Sequence, residues 1–193
     1  MRLFIGIPLA WNTANDVTAA VRQLRPEATP DKLRWSAPES WHITLQFLGS
    51  ATRQQYDCVV DRLPALRHGP VSIQLGALGI FDRAGVLFAD VRVTPQLLAL
   101  QQLVTVITAP CGFIPEDRPY HPHITLARRK GSGGGSELRN LKLQNPGPKL
   151  SGFTAESFVL YESIPAPGGS RYEIRERFLL RPTPARRQPR LFS

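Results

Sequence analysis

The 193-residue chain is predicted to fold as α+β, with two pseudo-symmetric lobes of mainly antiparallel strands flanked by helices around a central cleft. The tetrapeptide His-Ile-Thr-Leu occurs twice, at residues 42–45 and 123–126, in a chain with only four histidines. Strand-like and helix-like segments follow one another in a similar order around each copy. Several connections are too short for a crossover helix, which indicates antiparallel pairing.

The first half alternates strands and helices around the first copy of the tetrapeptide. Residues 3–7 are a near-continuous apolar run, which is typical of a central strand covered on both faces. Apolar residues at helical spacing predict two helices, the first of which ends at Pro26. The predicted elements are a strand at 3–7, a helix at 13–24, a short strand at 33–35, the motif strand at 41–48 and a helix at 52–67.

The second half repeats this alternation around the second copy. Its predicted elements are strands at 71–78 and 86–93, a helix that begins at Pro95, the motif strand at 120–128, a short helix at 137–143, and a strand pair at 153–161 and 171–180 joined by a loop at 165–169. Pro95 suits a first helical position because its missing N–H would have no partner there. The glycine- and serine-rich residues 130–136 are predicted to be mobile.

These elements assign residues 1–180 to a single domain of two interleaved lobes, and residues 181–193 to a Pro- and Arg-rich tail that is predicted to be disordered. Without the four arginines of the tail, the formal net charge of +9 becomes 9 − 4 = +5. A moderately basic body attracts polyanions such as RNA. No apolar run approaches the roughly 18 residues of a membrane-spanning helix. We therefore expect no membrane partner and a cytoplasmic location. We also expect a monomer, although no feature of the sequence decides the oligomeric state.

The cysteines give no sign of a structural role beyond packing. Cys58 and Cys111 are the only two in the sequence. One pair in a chain of this length does not make a disulfide framework, and no Cys-x-x-Cys pair indicates a structural zinc site. Both are predicted to be inert packing residues.

The repeated tetrapeptide indicates acid–base chemistry. Successive side chains of a strand point to opposite faces, so His and Thr of each copy share one face while Ile and Leu share the other. Burying the aliphatic face presents two imidazoles and two hydroxyls to one cluster. Because an imidazole titrates near about pH 6.5, one neutral and one protonated ring can serve as base and acid near neutral pH. Such a set suits a reaction on an anion.

The residues around both copies resemble those of a known family. Residues 1–5 (MRLFI), 41–49 (WHITLQFLG) and 120–128 (YHPHITLAR) are together similar to the two-histidine (2H) phosphoesterases. Within that superfamily they most resemble the RNA 2′,3′-cyclic phosphodiesterases, historically called 2′-5′ RNA ligases. One His-x-Thr motif would carry little weight, but two of them 81 residues apart form a specific pattern. The likeness extends from residue 1 to about residue 180.

The resemblance implies a bilobal fold whose cleft holds both motifs. It also implies opening of a 2′,3′-cyclic phosphate at an RNA 3′ end to a 2′-phosphate, without metal or cofactor, and in some members the reverse 2′-5′ joining of RNA ends without ATP. Carried over by position, the catalytic residues are His42, Thr44, His123 and Thr125. Arg128 matches a position near the phosphate. Strand parity places it opposite His123, so a bulge is required to bring it to the histidine face.

Roles follow as hypotheses. We expect His42 to protonate the leaving ribose oxygen and His123 to activate water, while the threonine hydroxyls donate to the nonbridging oxygens. His121 and His123 also have a spacing that metal ligands use, but no nearby Asp, Glu or Cys completes a set, so no metal is predicted. His121 is instead expected to brace the strand. Phe47 has the parity of the buried residues and is predicted to lie in the core and not to stack on a base.

Two other functions remain open. One is a 2H enzyme for another substrate, such as ADP-ribose cyclic phosphate or 2′-5′ oligoadenylate. The other is a non-catalytic RNA- or nucleotide-binding module on the same scaffold. The two intact His-Thr pairs argue against a pure binder, which has no need for two titrating imidazoles. The length and charge of the cleft would separate the two enzymatic alternatives.

Overall fold

The computed structural model describes residues 1–25, 32–131, 135–144, 150–167 and 169–182. Within these residues there are ten strands: β1 (Arg2–Pro8), β2 (Leu33–Trp35), β3 (His42–Ser50), β4 (Val71–Ile73), β5 (Leu75–Phe81), β6 (Val86–Val91), β7 (His123–Arg129), β8 (Phe153–Ala155), β9 (Ser157–Ala166) and β10 (Gly169–Leu179). The α-helices of the same part of the chain are α1 (Trp11–Leu24), α2 (Arg53–Arg62), α3 (Pro95–Thr108) and α4 (Gly135–Gln144).

The strands form two four-stranded sheets that each contain one His-Ile-Thr-Leu segment. The first sheet has the order β10-β9-β1-β3, and the second sheet has the order β2-β7-β6-β5. All of their pairings are antiparallel. The motif strand β3 lies at the edge of the first sheet, whereas β7 is an inner strand of the second. The predicted α+β architecture with two antiparallel sheets is confirmed.

A shared apolar core joins the two sheets. The aliphatic face of each motif is fully buried, with Ile43 and Leu45 in β3 and Ile124 and Leu126 in β7. These side chains belong to one cluster that also contains α3 residues such as Leu97. The core therefore holds both motif strands through their Ile and Leu side chains, and the opposite His-Thr faces point away from the core.

Two predicted elements are interrupted in the structure. The single strand predicted over 71–78 is wrong, because the chain changes sheet at Gln74: β4 pairs with β8, and β5 pairs with β6. The helix predicted over 52–67 ends at Arg62 and continues as a 3₁₀ turn, Leu63–Ala65. Pro64 accounts for this break because proline clashes with the preceding helical turn.

Several predictions concern residues outside the described part of the chain. Pro26, residues 132–134 of the glycine- and serine-rich segment, residue 168 of the last loop, and residues 183–193 of the tail all lie there. No helix among the described residues has the length and apolar character that crossing a membrane requires.

The prediction that the two cysteines are separate packing residues is wrong. Cys58 and Cys111 form a disulfide with a Cα–Cα distance of 5.8 Å. It links α2 to the 3₁₀ turn Ala109–Cys111 that follows α3. The residues lie 53 positions apart, and only the packing of α2 against the end of α3 brings them together.

Candidate active site

The two motif strands contact each other, and the His-Thr face of each strand is only partly covered. β3 and β7 lie next to each other although they belong to different sheets. His42, Thr44, His123 and Thr125 are all half-buried, whereas the Ile and Leu residues between and after them are buried. The structure thus has the alternation of faces that the sequence predicts over both tetrapeptides.

Both imidazoles are held by the same backbone contact. The Nδ1 atom of His42 lies 2.7 Å from the carbonyl oxygen of Ser40, and the Nδ1 atom of His123 lies 2.9 Å from that of His121. A carbonyl oxygen can only accept, so Nδ1 carries the proton and donates it in each ring. The Nε2 atom of each ring then remains for a ligand: unprotonated it is a base, and protonated it is an acid.

Aromatic rings surround His42. Its ring centroid lies 4.6 Å from that of Phe4, 5.5 Å from that of Tyr161 and 5.1 Å from that of Tyr172, whose ring is edge-on. Gly6 allows this packing, because a Cβ there would lie 3.5 Å from the His42 ring and 2.9 Å from the backbone oxygen of Ile43. These contacts restrict the ring and keep water away from its faces.

His123 has a similar but smaller aromatic wall. Its ring centroid lies 4.9 Å from that of Phe81, edge-on, and 5.3 Å from that of Phe88. Gly79 leaves room for the second ring, since a Cβ there would lie 2.2 Å from a Phe88 atom. Each half of the site thus packs its histidine against aromatic side chains from other strands of the same sheet.

Burial lowers the pKa of both histidines. For His42, burial is the largest cause and lowers the pKa from 6.5 to about 4, with the nearby charges of His123 and Arg128 acting in the same direction. For His123, burial again is the largest cause of a lowered pKa, and Arg128 again contributes. The carbonyl bonded to each Nδ1 opposes the effect. Both rings are therefore neutral at pH 7 until a bound anion favours their protonated forms.

A β-bulge follows the threonine in each motif strand. In β3, Gly6 pairs with Thr44 and Ile5 with Gln46, so Leu45 is an extra residue. In β7, Phe88 pairs with Thr125 and Leu87 with Ala127, so Leu126 is the extra residue. Each bulge reverses the alternation of faces for the residues after it. The two bulges occupy equivalent positions in the duplicated motif.

The bulges bring Phe47 and Arg128 to the histidine faces of their strands. Phe47 is 49% exposed and its ring lies 6.2 Å from that of Phe4, so the prediction that it belongs to the core is wrong. Arg128 is exposed, and its charge acts on both histidines. The bulge that the sequence required for Arg128 is present. Sequence parity alone gave no reason to expect the bulge at Leu45 in β3.

Two contacts that the motifs do not reveal connect the halves of the site. The hydroxyl of Tyr120 donates to the backbone oxygen of Thr44 across 3.1 Å, which joins the segment before β7 to β3. The Nε2 atom of His121 lies 3.0 Å from Oδ1 of Asp90, whose backbone pairs with His123. His121 therefore contacts β6, in accord with its predicted bracing role. Tyr120 adjoins the second motif in sequence, whereas nothing in the sequence indicated Asp90.

An open cleft of about 1680 Å³ adjoins part of this site, and His42, Thr125 and Arg128 are not among its lining residues. Thr44 and His123 line it together with the loop before β7, the β5–β6 hairpin and α3. The described residues contain no cluster of three or more His, Cys, Asp or Glu side chains with the arrangement of a metal site. The lining also includes guanidinium, aromatic, amide and carboxylate side chains, and its imidazole, hydroxyl, guanidinium and aromatic groups are those that suit a phosphorylated nucleoside.

The fold and the site define the class of the protein. Two antiparallel sheets each provide a bulged strand with a carbonyl-anchored histidine and a threonine two residues later, which is the arrangement of a two-histidine phosphoesterase. The chain belongs to the LigT-like phosphoesterase family, whose model matches residues 7–88 and again residues 90–172. The double match agrees with the internal duplication.

Relatives of known name support this assignment. An RNA 2′,3′-cyclic phosphodiesterase from Bacillus subtilis (strain 168) is 34% identical over 131 residues, which are 65% of this chain and 70% of the relative. One from Escherichia coli (strain K12) is 28% identical over 180 residues, or 93% and 96% of the two chains. The crystal structure of E. coli LigT in apo form matches with a TM-score of 0.77 at 25% identity, and covers 93% of this chain and 97% of LigT.

Proposed function

We propose that this phosphoesterase hydrolyses RNA 2′,3′-cyclic phosphate ends to 2′-phosphates by acid–base catalysis with two histidines and without a metal. The observation that carries the proposal is the equivalent anchoring of the His42 and His123 rings on adjacent strands, which directs both Nε2 atoms away from the backbone. Family membership and the names of the relatives give the substrate class.

The reaction needs one proton removed and one delivered. A water oxygen attacks phosphorus while Nε2 of His123 takes its proton. The bond from phosphorus to the ribose 3′-oxygen breaks, and Nε2–H of His42 protonates that oxygen. Each positioned acid or base contributes roughly 10²–10⁴-fold. Both rings end with their proton states exchanged, and solvent restores them.

Three further side chains act on the charge of the phosphate in this scheme. The hydroxyls of Thr44 and Thr125 share a face with the histidines and donate to the nonbridging oxygens. The Arg128 guanidinium balances the charge that grows there in the transition state. Phe47 offers an exposed ring for a ribose or base.

The roles of the two histidines depend on where the single proton lies. The low pKa of His42 disfavours its protonated form in the unliganded protein. For His42 to act as the acid, the anionic cyclic phosphate must bring the proton onto that ring, since an adjacent negative charge raises an imidazole pKa. A pH profile does not distinguish the two singly protonated forms, because they contain the same number of protons.

Hydrolysis is tested with an RNA oligonucleotide that ends in a 2′,3′-cyclic phosphate, in the presence of a chelator. We expect a 2′-phosphate product, and loss of turnover in His42→Ala and His123→Ala. His68→Ala is the matched control, because His68 contacts the Gly69 carbonyl outside this site. Loss of activity on chelation, or full activity in either motif variant, would contradict the proposal. Adding an acceptor RNA with a 5′-hydroxyl to the same assay reveals any 2′-5′ ligation.

A sulfur-bridged substrate assigns the two roles. In a cyclic phosphate whose 3′-bridging oxygen is replaced by sulfur, the thiolate leaves without protonation. The variant that lacks the acid should therefore regain activity on this substrate, while the variant that lacks the base should not. Rescue of His42→Ala supports the assignment above, and rescue of His123→Ala reverses it.

The setting of the reaction is part of the same proposal. Both histidines come from one chain, so a monomer is sufficient for catalysis. RNA ends with cyclic phosphates arise where RNA is cleaved. Because RNA is processed and degraded in the cytoplasm, we place the enzyme there. Equilibrium sedimentation tests the first statement, and fractionation of cells tests the second. Activity that appears only with dimer formation would refute the monomer.

A further inference from the structure

We propose that the cleft continues beyond His123 and Thr44 into a subsite for the nucleotide on the 5′ side of the terminal, cyclic-phosphate-bearing nucleotide. One face of α3, the edge of β3 and Arg92 form this subsite. The inference rests on the proposed function and deepens it, because it identifies an oligonucleotide end, and not a mononucleotide, as the preferred substrate.

The cleft is larger than a single small ligand requires. Its volume of about 1680 Å³ exceeds the roughly 300–1,000 Å³ that is typical of small-molecule sites. Its lining includes His123 and Thr44, one face of α3, and the turn between β5 and β6. A terminal nucleotide placed at His123 and Thr44 leaves room at α3.

The α3 surface in the cleft suits a base and a ribose. The lining residues of this helix lie at helical spacing on one face: Leu98, Gln101, Gln102, Thr105 and Val106. The whole helix Pro95–Thr108 contains no Asp, Glu, Lys or Arg. Its amides can bond to base edges, while Val106, which is 67% exposed, offers apolar contact to a base.

A buried amide at the edge of this surface lacks a partner. Gln46 lines the cleft, is only 6% exposed, and accepts through Oε1 a hydrogen bond from the Thr108 hydroxyl of α3 at 2.8 Å. Among the described residues, nothing bonds to its Nε2 atom. A buried amide donor without a partner is unfavourable. The contact between Gln46 and Thr108 ties β3 to α3, the two elements that line this end of the cleft.

The charges of the lining favour a phosphate at the α3 end. Every carboxylate that lines the cleft is already paired: Asp82 with Arg139, Asp90 with His121, and Glu116 with Arg118. Arg83 and Arg92 also line the cleft, and neither makes an ion pair with another described residue. Arg92 directly follows β6 at the end nearer α3, so it is placed to bind the phosphate that links the two nucleotides.

The test compares kcat/KM for a dinucleotide and a mononucleotide that both end in a 2′,3′-cyclic phosphate. Arg92→Gln should lower the ratio of the two values about tenfold, and Gln102→Ala should lower it about threefold. Arg62→Gln and Gln96→Ala are matched controls, since both residues are exposed on helices and neither lines the cleft. In the unmutated protein, added salt should reduce kcat/KM more for the dinucleotide than for the mononucleotide.

Several outcomes would overturn the subsite. These are equal kcat/KM values for the two substrates in the unmutated protein, an unchanged ratio in Arg92→Gln, or a ratio that falls only in Arg83→Gln, which lies at the opposite end of the cleft. If neither substrate is hydrolysed, the proposed function fails by itself. The subsite is then tested by the affinities of the corresponding mono- and dinucleotide 2′-phosphates, and equal affinities would refute it.

Discussion

Replacing Tyr172 with serine tests whether the aromatic rings around His42 set its proton affinity. Tyr172 is half-buried in β10 and presents its ring edge to the imidazole at a centroid distance of 5.1 Å. Removing the ring admits water to one side of His42. Water stabilises the protonated form, so we expect the pKa of His42 to rise.

The size of the effect follows from the burial of His42. Its pKa of about 4, against 6.5 for a solvated histidine, corresponds to roughly 3 kcal/mol that disfavours protonation. Phe4 and Tyr161 share the enclosure with Tyr172. If the three rings contribute equally, loss of one restores roughly 1 kcal/mol, and the pKa rises by about 0.8.

The assay is the pH dependence of kcat/KM for uridine 2′,3′-cyclic phosphate, whose base does not titrate in the acidic range. In the proposed mechanism the form with one proton on the histidine pair is active. We therefore expect a bell-shaped profile whose acid limb reports His42 near pH 4 and whose alkaline limb reports His123. Because burial also lowers the pKa of His123, the optimum should lie below pH 6.5. Tyr172→Ser should move only the acid limb, upward.

Phe81→Ser is the matched variant in the other half. Phe81 lies edge-on to His123 at 4.9 Å, so its loss should raise the alkaline limb and leave the acid limb in place. Circular dichroism and thermal unfolding establish that both variants are folded. An acid limb that stays fixed in Tyr172→Ser, or one that moves in Phe81→Ser, would refute the assignment of the limbs to the two rings.

Three further predictions concern charge, acid stability and the disulfide. Arg128→Gln should lower kcat/KM roughly 10²-fold, while Arg129→Gln should have little effect. The reason is that the bulge places Arg128, but not Arg129, on the histidine face of β7. Equal losses in the two variants would contradict this. Because His42 binds a proton less readily in the folded than in the unfolded protein, the free energy of unfolding should fall by roughly 3 kcal/mol between pH 6.5 and about 4. Chemical denaturation at both pH values should show a smaller fall in His42→Asn. An equal fall in the two proteins would disprove the linkage. Replacing both Cys58 and Cys111 with serine opens a loop of 53 residues and should lower the free energy of unfolding by up to about 4 kcal/mol. If reductant leaves the melting temperature of the unmutated protein unchanged, the disulfide does not contribute this stability.

Strand alternation predicted the faces of both motif strands correctly up to the bulges. It placed the histidine and threonine of each motif on one half-buried face, and it placed Ile43 and Ile124 in the core. It failed at Phe47, where the extra residue in β3 reverses the faces. A bulge depends on how a strand meets its neighbour, which is a property of two distant segments and leaves no fixed mark in either one.

For a related reason, the sequence did not predict the aromatic rings around His42 or the disulfide. Phe4, Tyr161 and Tyr172 read as ordinary strand residues, and only the order β10-β9-β1-β3 brings all three to His42. The same holds for Cys58 and Cys111. Strand order depends on long-range packing, so the residues that surround a motif histidine and shift its pKa are less predictable from sequence than the histidine itself.

The two motif strands share their backbone features but differ in one side chain on the histidine face. Both motifs have the same bulge and the same Nδ1 contact to the carbonyl two residues before the histidine. Five residues after each histidine, however, one strand presents Phe47 and the other presents Arg128. In the proposed mechanism this difference places the phosphate near the guanidinium and a ribose or base near the ring, and so favours one orientation of the nucleotide over the reverse. The favoured orientation would then set which ribose oxygen His42 protonates.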